Sequence, residues 1–333
     1  MVPTAIANPG SAGKIEMAAS APSAAVHLTL AGCSAVLLAF CLMAARPGAM
    51  HAALPFIETT LLLVPPLLVP VAFYHERKAW ERRDAFLMLP WTLLIASLIT
   101  QAAPTSATFA FPLRDALWRS LDQHLGLGVP AIMGFTARHP FLQALLSYSY
   151  AWGLHPLLLC AIFLPPLFAK KKVAQRFVLA NAISFVLTLP CMVLLPAVGP
   201  WVGWHFPPNS LQHACEMTIY SLRKGSLSIT DSFGGIICFP SFHVFWAVIS
   251  AHALQPFRLL RYPAILVATL VTASTVTTGW HYGIDVLAGL LLAAACTCLA
   301  NLAISAHRQS AAGLVTEVLP DSTATGGKLT KSS

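Results

Sequence analysis

Two histidines and one aspartate, each at the end of an apolar run, are the residues in this 333-residue chain whose types and spacing suit chemistry. Phe239-Pro240-Ser241-Phe242-His243 opens one apolar stretch, and Trp280-His281-Tyr282-Gly283-Ile284-Asp285 opens another. Near neutral pH an imidazole serves as a nucleophile or a general acid, and a carboxylate on one ring nitrogen fixes its tautomer and stabilises the imidazolium. His281 and Asp285 stand at positions i and i+4, which puts them on one face of a helix. Any one of the three alone reads as a helix-capping histidine or an incidental polar residue. In this order, at hydrophobic helix ends, they read as a reacting set.

The elements between them predict that the two ends meet. Pro240 suits the first turn of a helix, Val244 to Leu254 is almost wholly apolar, Gln255 to Pro263 is a basic turn, and Ala264 to Val276 is apolar again. That is an outbound and return hairpin, which brings His243, His281 and Asp285 to one membrane face.

The composition excludes an ordinary soluble protein: 57% of residues are hydrophobic, 10% are charged, and the mean hydropathy is +0.71. The formal charge of +8 comes from short clusters between apolar runs, which fits a membrane surface and no nucleic acid partner. Cys33, Cys41, Cys160, Cys191, Cys296 and Cys298 lie in apolar spans, where a thiol acts as a small hydrophobe. No zinc-type spacing is present, so no metal and no cofactor is expected. Cys215 and Cys238 share a polar loop on the oxidising side, where the alternatives are a disulfide between them and simple burial of Cys238 just ahead of the helix.

Eight apolar runs are candidate spans, near 26–45, 55–74, 86–101, 141–168, 174–198, 239–255, 263–279 and 282–305. The expected fold is an all-α, polytopic membrane helical bundle of about eight spans. Pro65, Pro66, Pro70, Pro165, Pro166 and Pro190 are expected to kink or break their helices. Residues 1–25 read as a flexible cytoplasmic tail, 26–85 as additional N-terminal spans, 86–305 as the membrane-embedded core, and 306–333 as a disordered cytoplasmic tail. With both termini cytoplasmic, fourteen Lys and Arg residues lie inside against six outside, so the positive-inside rule places the histidines on the extracytoplasmic face. In the outer segment, Leu113, Leu117, Leu121 and Leu125 recur every fourth residue beside Trp118, with Arg114, Asp115, Arg119, Asp122 and Gln123 on the remaining circumference. That pattern predicts an amphipathic helix lying in the interface.

The Pro240-Ser241-x-His243 and His281-x-x-x-Asp285 motifs resemble the second and third signatures of the type 2 phosphatidic acid phosphatase superfamily. Phe-Pro-Ser-Phe-His followed by Gly-Trp-His-Tyr-x-x-Asp-Val-Leu-Ala-Gly at 279–289 is most similar to a bacterial branch related to inositol phosphorylceramide synthases. The order Leu121-Asp122, Gly126, Pro130, Phe141, Tyr150 and His155-Pro156 resembles that branch's lead-in, and Pro196-Ala197-Val198-Gly199-Pro200-Trp201 resembles its proline-rich segment. The resemblance implies a six-helix phosphatase-like core in a bacterial inner membrane. It also implies metal-independent transfer of a phosphoryl-type group from a membrane lipid, a phospholipid or polyprenyl phosphate, at the outer leaflet. His281 would attack phosphorus, Asp285 would orient it, His243 would protonate the leaving oxygen, and Ser241 would help hold the phosphate.

The family's basic Lys-x6-Arg-Pro signature is absent, and Thr275 stands where an arginine usually precedes the third-motif histidine. Arg223 is the candidate replacement, since a guanidinium binds two phosphate oxygens at once. A non-catalytic lipid-binding or transport protein on the same fold is the second reading. Lipid identity, acceptor and oligomeric state stay open at this point.

Overall fold

The computed structural model describes residues 9–43, 47–226 and 238–318. Its helices run in chain order as α1 (Pro9–Met43), α2 (Pro47–Glu76), α3 (Trp80–Phe86), α4 (Met88–Ala107), α5 (Asp115–His124), α6 (Val129–Ala137), α7 (Pro140–Tyr148) and α8 (Leu154–Leu167). They continue as α9 (Lys171–Leu194), α10 (Pro200–Trp204), α11 (Ser210–Lys224), α12 (Phe242–Leu254), α13 (Arg261–Thr277) and α14 (Gly283–Val318). The described residues form no strand, and the molecule is an all-α membrane helical bundle. This is the arrangement apolar solvent enforces, because a helix satisfies its own backbone polar groups.

Each of the eight expected apolar runs centres on a helix. Among the described residues, five segments are long and apolar enough to cross a membrane: Ala24–Met43, Trp80–Ala107, Pro140–Leu167, Lys171–Leu194 and Gly283–Ser305. Thr60–Glu76 and α12 are shorter apolar helices. The prolines do not break their helices: α2 continues through Pro65, Pro66 and Pro70, α8 through Pro165 and Pro166, and α9 through Pro190. Helix α1 starts at Pro9 and α14 runs to Val318, so helix reaches into both stretches read as tails, while residues 1–8 and 319–333 lie outside the described residues.

Helix α12 occupies the middle of the bundle. Phe242, Phe245, Ile249 and Ala253 pack into the main core with residues of α1, α4, α9 and α14. Ala247, Ala251 and Leu254 face Leu154 and Leu157 of α8 and Ala264, Ala268 and Val271 of α13. The outbound and return hairpin is therefore real, and its two ends differ in character. At the end away from the histidines, Lys171 and Arg83 pair with the buried Asp84 carboxylate, at 2.5 and 2.6 Å. At that same end of α12, Arg176 bonds His252, 3.1 Å away, so this histidine serves a helix contact remote from His243.

The amphipathic outer segment does form a helix, α5, and its polar side is the one turned into the protein. Leu117, Leu121 and Leu125 are exposed, whereas Asp115, Trp118 and Asp122 are buried. In a membrane protein an apolar stripe need not face the core, since lipid accepts it as readily as protein does. The carboxylates point inward because unpaired backbone donors await them there.

Candidate functional site

Helix α12 begins at a serine cap. Ser241 Oγ accepts from the Val244 N–H at 3.4 Å, and the Ser241 N–H donates to the Asp285 carbonyl oxygen at 3.2 Å. The two motifs are thus joined by backbone before any side chain meets. Trp118 stacks on Phe239 with ring centroids 4.1 Å apart and fixes the start of the first motif.

The second motif sits in the turn between α13 and α14. Gly279 has φ +72°, the left-handed conformation that glycine adopts at helix ends. The chain then doubles back, and the Trp280 and His281 N–H groups both donate to the Thr275 carbonyl, at 3.1 and 3.0 Å. Thr275, which stands where the family's arginine is usual, is fully buried and works here through its backbone.

Helix α14 starts on a foreign cap. Asp122 of α5 accepts from the Gly283 and Ile284 N–H groups at 2.9 and 2.8 Å, taking up donors that a helix start leaves unpaired. Burial pushes its carboxyl up to about 6, with the two N–H donors opposing the shift. Asp115, two turns earlier on the same face, accepts from Val198 and Gly199 N–H at 3.1 and 2.9 Å and from the Tyr282 hydroxyl at 3.0 Å. Burial raises its carboxyl as well, again opposed by those donors. One short helix therefore ties the 198–199 loop and the start of α14 to the same strut.

These constraints set the reacting groups. The His243 and His281 ring centroids are 5.7 Å apart, and both rings are largely buried. His281 Nδ1 lies 3.0 Å from the Cys238 carbonyl oxygen and 3.3 Å from Asp285 Oδ2. A carbonyl oxygen only accepts, so Nδ1 carries the proton in this bond and Nε2 keeps its lone pair. Asp285 Oδ2 also accepts from the Tyr282 N–H at 2.9 Å and from the Cys238 thiol at 3.1 Å, while Oδ1 is buried without a partner among the described residues.

The thiol contact takes the place of a disulfide. Cys215 and Cys238 are not joined, because Cys238 Sγ is turned into the site against Asp285. Burial, and next the nearby carboxylate of Asp285, hold this thiol well above its ordinary pKa, so it stays a donor.

Tyr150 sits in a π-helical turn, Ser149–Gly153, and stacks on His243 at 4.8 Å and on Trp280 at 5.7 Å. Behind that aromatic layer lies a cavity of about 290 Å³ bordered by Thr136, Gln143, Ser147 and Asn209.

Arg223 stands elsewhere. Its guanidinium donates to the carbonyl oxygens of Phe111 and Ala110, at 2.7 and 3.3 Å, and it lines a smaller cavity with Cys238 and Phe239. Among the described residues, it makes no hydrogen bond to either histidine.

Sequence reasoning missed Asp115, Asp122 and Cys238 as parts of this site. The two aspartates did leave a signal: they stand at i and i+7 on one helix face with Trp118 between them, a polar face of the kind that is buried only to meet donors. Cys238 left none, since no spacing rule links positions 238, 281 and 285.

The glycine that ends the third motif has a steric reason. A Cβ on Gly289 would lie 2.6 Å from the Ser241 carbonyl oxygen and 3.0 Å from Val244 Cβ. Gly289→Ala is expected to push α12 and α14 apart, costing about 1–3 kcal/mol as overpacking does. A lower melting temperature in detergent would show it, and an unchanged one would mean the helices have slack.

The family model of the PAP2 superfamily matches residues 115–299 of the chain. No curated protein and no solved structure matches it.

Proposed function

Because this chain belongs to the PAP2 superfamily, whose members are generally phosphatases or phosphotransferases, we propose that it is a lipid phosphatase or phosphotransferase acting through a phosphohistidine intermediate. The observation that carries the reading is the pairing of His281, anchored at Nδ1, with His243 at 5.7 Å between ring centroids. His281 Nε2 attacks phosphorus, the P–N bond forms, and the bond to the lipid alcohol breaks. The departing oxygen takes a proton from His243. Water or a hydroxyl then gives its proton to His243, attacks phosphorus and frees His281. Asp285 stabilises the positive charge on the ring, and Ser241 with nearby N–H groups contacts the phosphate oxygens. Metal is not required in these steps.

The substrate class is a phospholipid or polyprenyl phosphate at the outer leaflet of a bacterial inner membrane, and the relationship is to the inositol phosphorylceramide synthase-like branch. The uncharged polar lining of the cavity behind Tyr150 supports a hydroxyl acceptor. Purified protein incubated with short-chain phosphatidic acid, with and without glycerol or inositol, tests this by release or transfer of phosphate. Binding of lipid with neither release nor transfer would favour the non-catalytic alternative.

Arg223 is proposed as the counter-charge that draws phosphate to the loop carrying Cys238 and Phe239. Arg223→Ala is expected to lower turnover about a hundredfold, and Arg223→Lys to recover only part of it. Wild-type turnover in the alanine variant would assign the residue to holding the turn at Ala110 and Phe111. The orientation follows from the basic clusters, so a cysteine placed at the exposed Lys172 is expected to react with reagent from the cytoplasmic side. Reaction only from the other side would invert the site.

A further inference from the structure

Cys238, which no sequence motif connects to the histidine and aspartate, meets His281 and Asp285 in the buried part of the site. Cys238 Sγ, His281 Nδ1 and Asp285 Oδ2 all lie within 4.8 Å of one another, and all three residues are buried. Two of the separations are short, 3.1 Å from sulfur to carboxylate oxygen and 3.3 Å from Nδ1 to that oxygen. Ligand atoms on a tetrahedral zinc ion, with bonds of about 2.0–2.3 Å, stand about 3.3–3.5 Å apart. Two edges of the trio therefore approach those of a zinc face, and the third, from Cys238 Sγ to His281 Nδ1, lies within 4.8 Å. The Cys238 carbonyl oxygen, 3.0 Å from Nδ1, is at hand for a fourth position. A second observation points the same way: among the described residues Asp285 Oδ1 is buried with no hydrogen-bond partner, a ligand oxygen left over beside the trio.

We propose that Cys238, His281 and Asp285 form an inhibitory site for a soft divalent cation, zinc or cadmium. Thiolate and imidazole select these ions over magnesium or calcium, which prefer oxygen alone. Binding forms metal–sulfur, metal–nitrogen and metal–oxygen bonds and releases the thiol proton. The proton on His281 Nδ1 moves to Nε2 of the same ring, since the metal now holds the Nδ1 lone pair. Nε2 then has no lone pair to offer phosphorus, and turnover stops. The binding half of this inference stands on geometry alone, and the inhibitory half rests on the proposed histidine chemistry.

Cobalt reports the site directly, because a thiolate on tetrahedral cobalt gives a charge-transfer absorption band in the near ultraviolet. The full-length protein, stripped with chelator and held in detergent, is titrated with cobalt and then with zinc. Cys238→Ser, which keeps a donor toward Asp285 but replaces thiolate by a poor ligand, is titrated in parallel. The expected result is one band per chain in the wild type, displaced by zinc and absent from Cys238→Ser. Zinc and not magnesium should lower phosphate release more than tenfold, chelator should restore it, and Cys238→Ser should need at least tenfold more zinc, each variant compared with its own metal-free rate. No band in the wild type, or the same band in Cys238→Ser, overturns the site. A band with undiminished turnover overturns the inhibition. A band in protein that releases and transfers no phosphate even when metal-free sustains the metal site and sinks the proposed function instead.

Discussion

Replacing His281 by alanine is expected to lower phosphate release from a lipid ester by at least about ten-thousandfold, with helix content and melting temperature close to wild type. The size follows from the role: without the nucleophile the covalent route is closed, and binding contacts alone retain only a small residue of catalysis. The fold should survive because the ring's ties are to one side chain and one carbonyl of the 238 loop, while the turn itself is held by backbone bonds to Thr275 and by Asp122. Wild-type protein quenched during turnover should carry acid-labile phosphate on a histidine, and the alanine variant should carry none. Retention of that label in His281→Ala would move the nucleophile to another residue.

Asp285→Asn is expected to cost about a thousandfold in turnover with little change in substrate affinity. An asparagine fits the space, and its amide oxygen can keep the Oδ2 bonds from Tyr282 N–H and the Cys238 thiol. What it lacks is the negative charge that stabilises the imidazolium as phosphorus is attacked, a loss felt chiefly in the transition state. Its amide nitrogen would also occupy the place of Oδ1, which has no partner among the described residues, leaving a buried donor unsatisfied there. The measurement is kcat against KM for the variant: a fall in kcat alone assigns the charge to chemistry, and a rise in KM alone would assign Asp285 to substrate binding.

Much of this arrangement was legible in the residues. The apolar runs gave α12 and its return partner α13, although Pro240 stands before the Ser241 cap and not in the first turn. The His281–Asp285 pair forms, but not on one helix face as expected, because His281 lies in the turn ahead of α14. The leucine stripe of α5 was legible as the side of an interfacial helix, but the burial of its acidic side was not, because hydropathy alone does not say what a polar face will meet. The i, i+7 spacing of Asp115 and Asp122 marked a polar face, but their partners were not legible: most are backbone N–H groups distant in sequence, which carry no side-chain signature. The Cys238 contact depends on where a loop comes to rest, so spacing offered a disulfide where the fold makes a hydrogen bond to Asp285.

The π turn at Ser149–Gly153 settles a conflict of phase. Along the continuous helical run from α7 to α8, the buried positions up to Ala161 are Leu146, Ser149, Leu154, Leu157 and Ala161, separated by three, five, three and four residues, and Pro165 and Pro166 follow them. The step of five is the one a regular α-helix does not supply on a single face. Below it, Leu154 and Leu157 keep their seats against Ala247, Ala251 and Val271. Above it, the extra residue rotates the outer half so that Tyr150 meets the ring of His243. One inserted residue therefore uncouples two registers, letting the lower half of the span follow the packing of the bundle while the upper half follows the needs of the histidine.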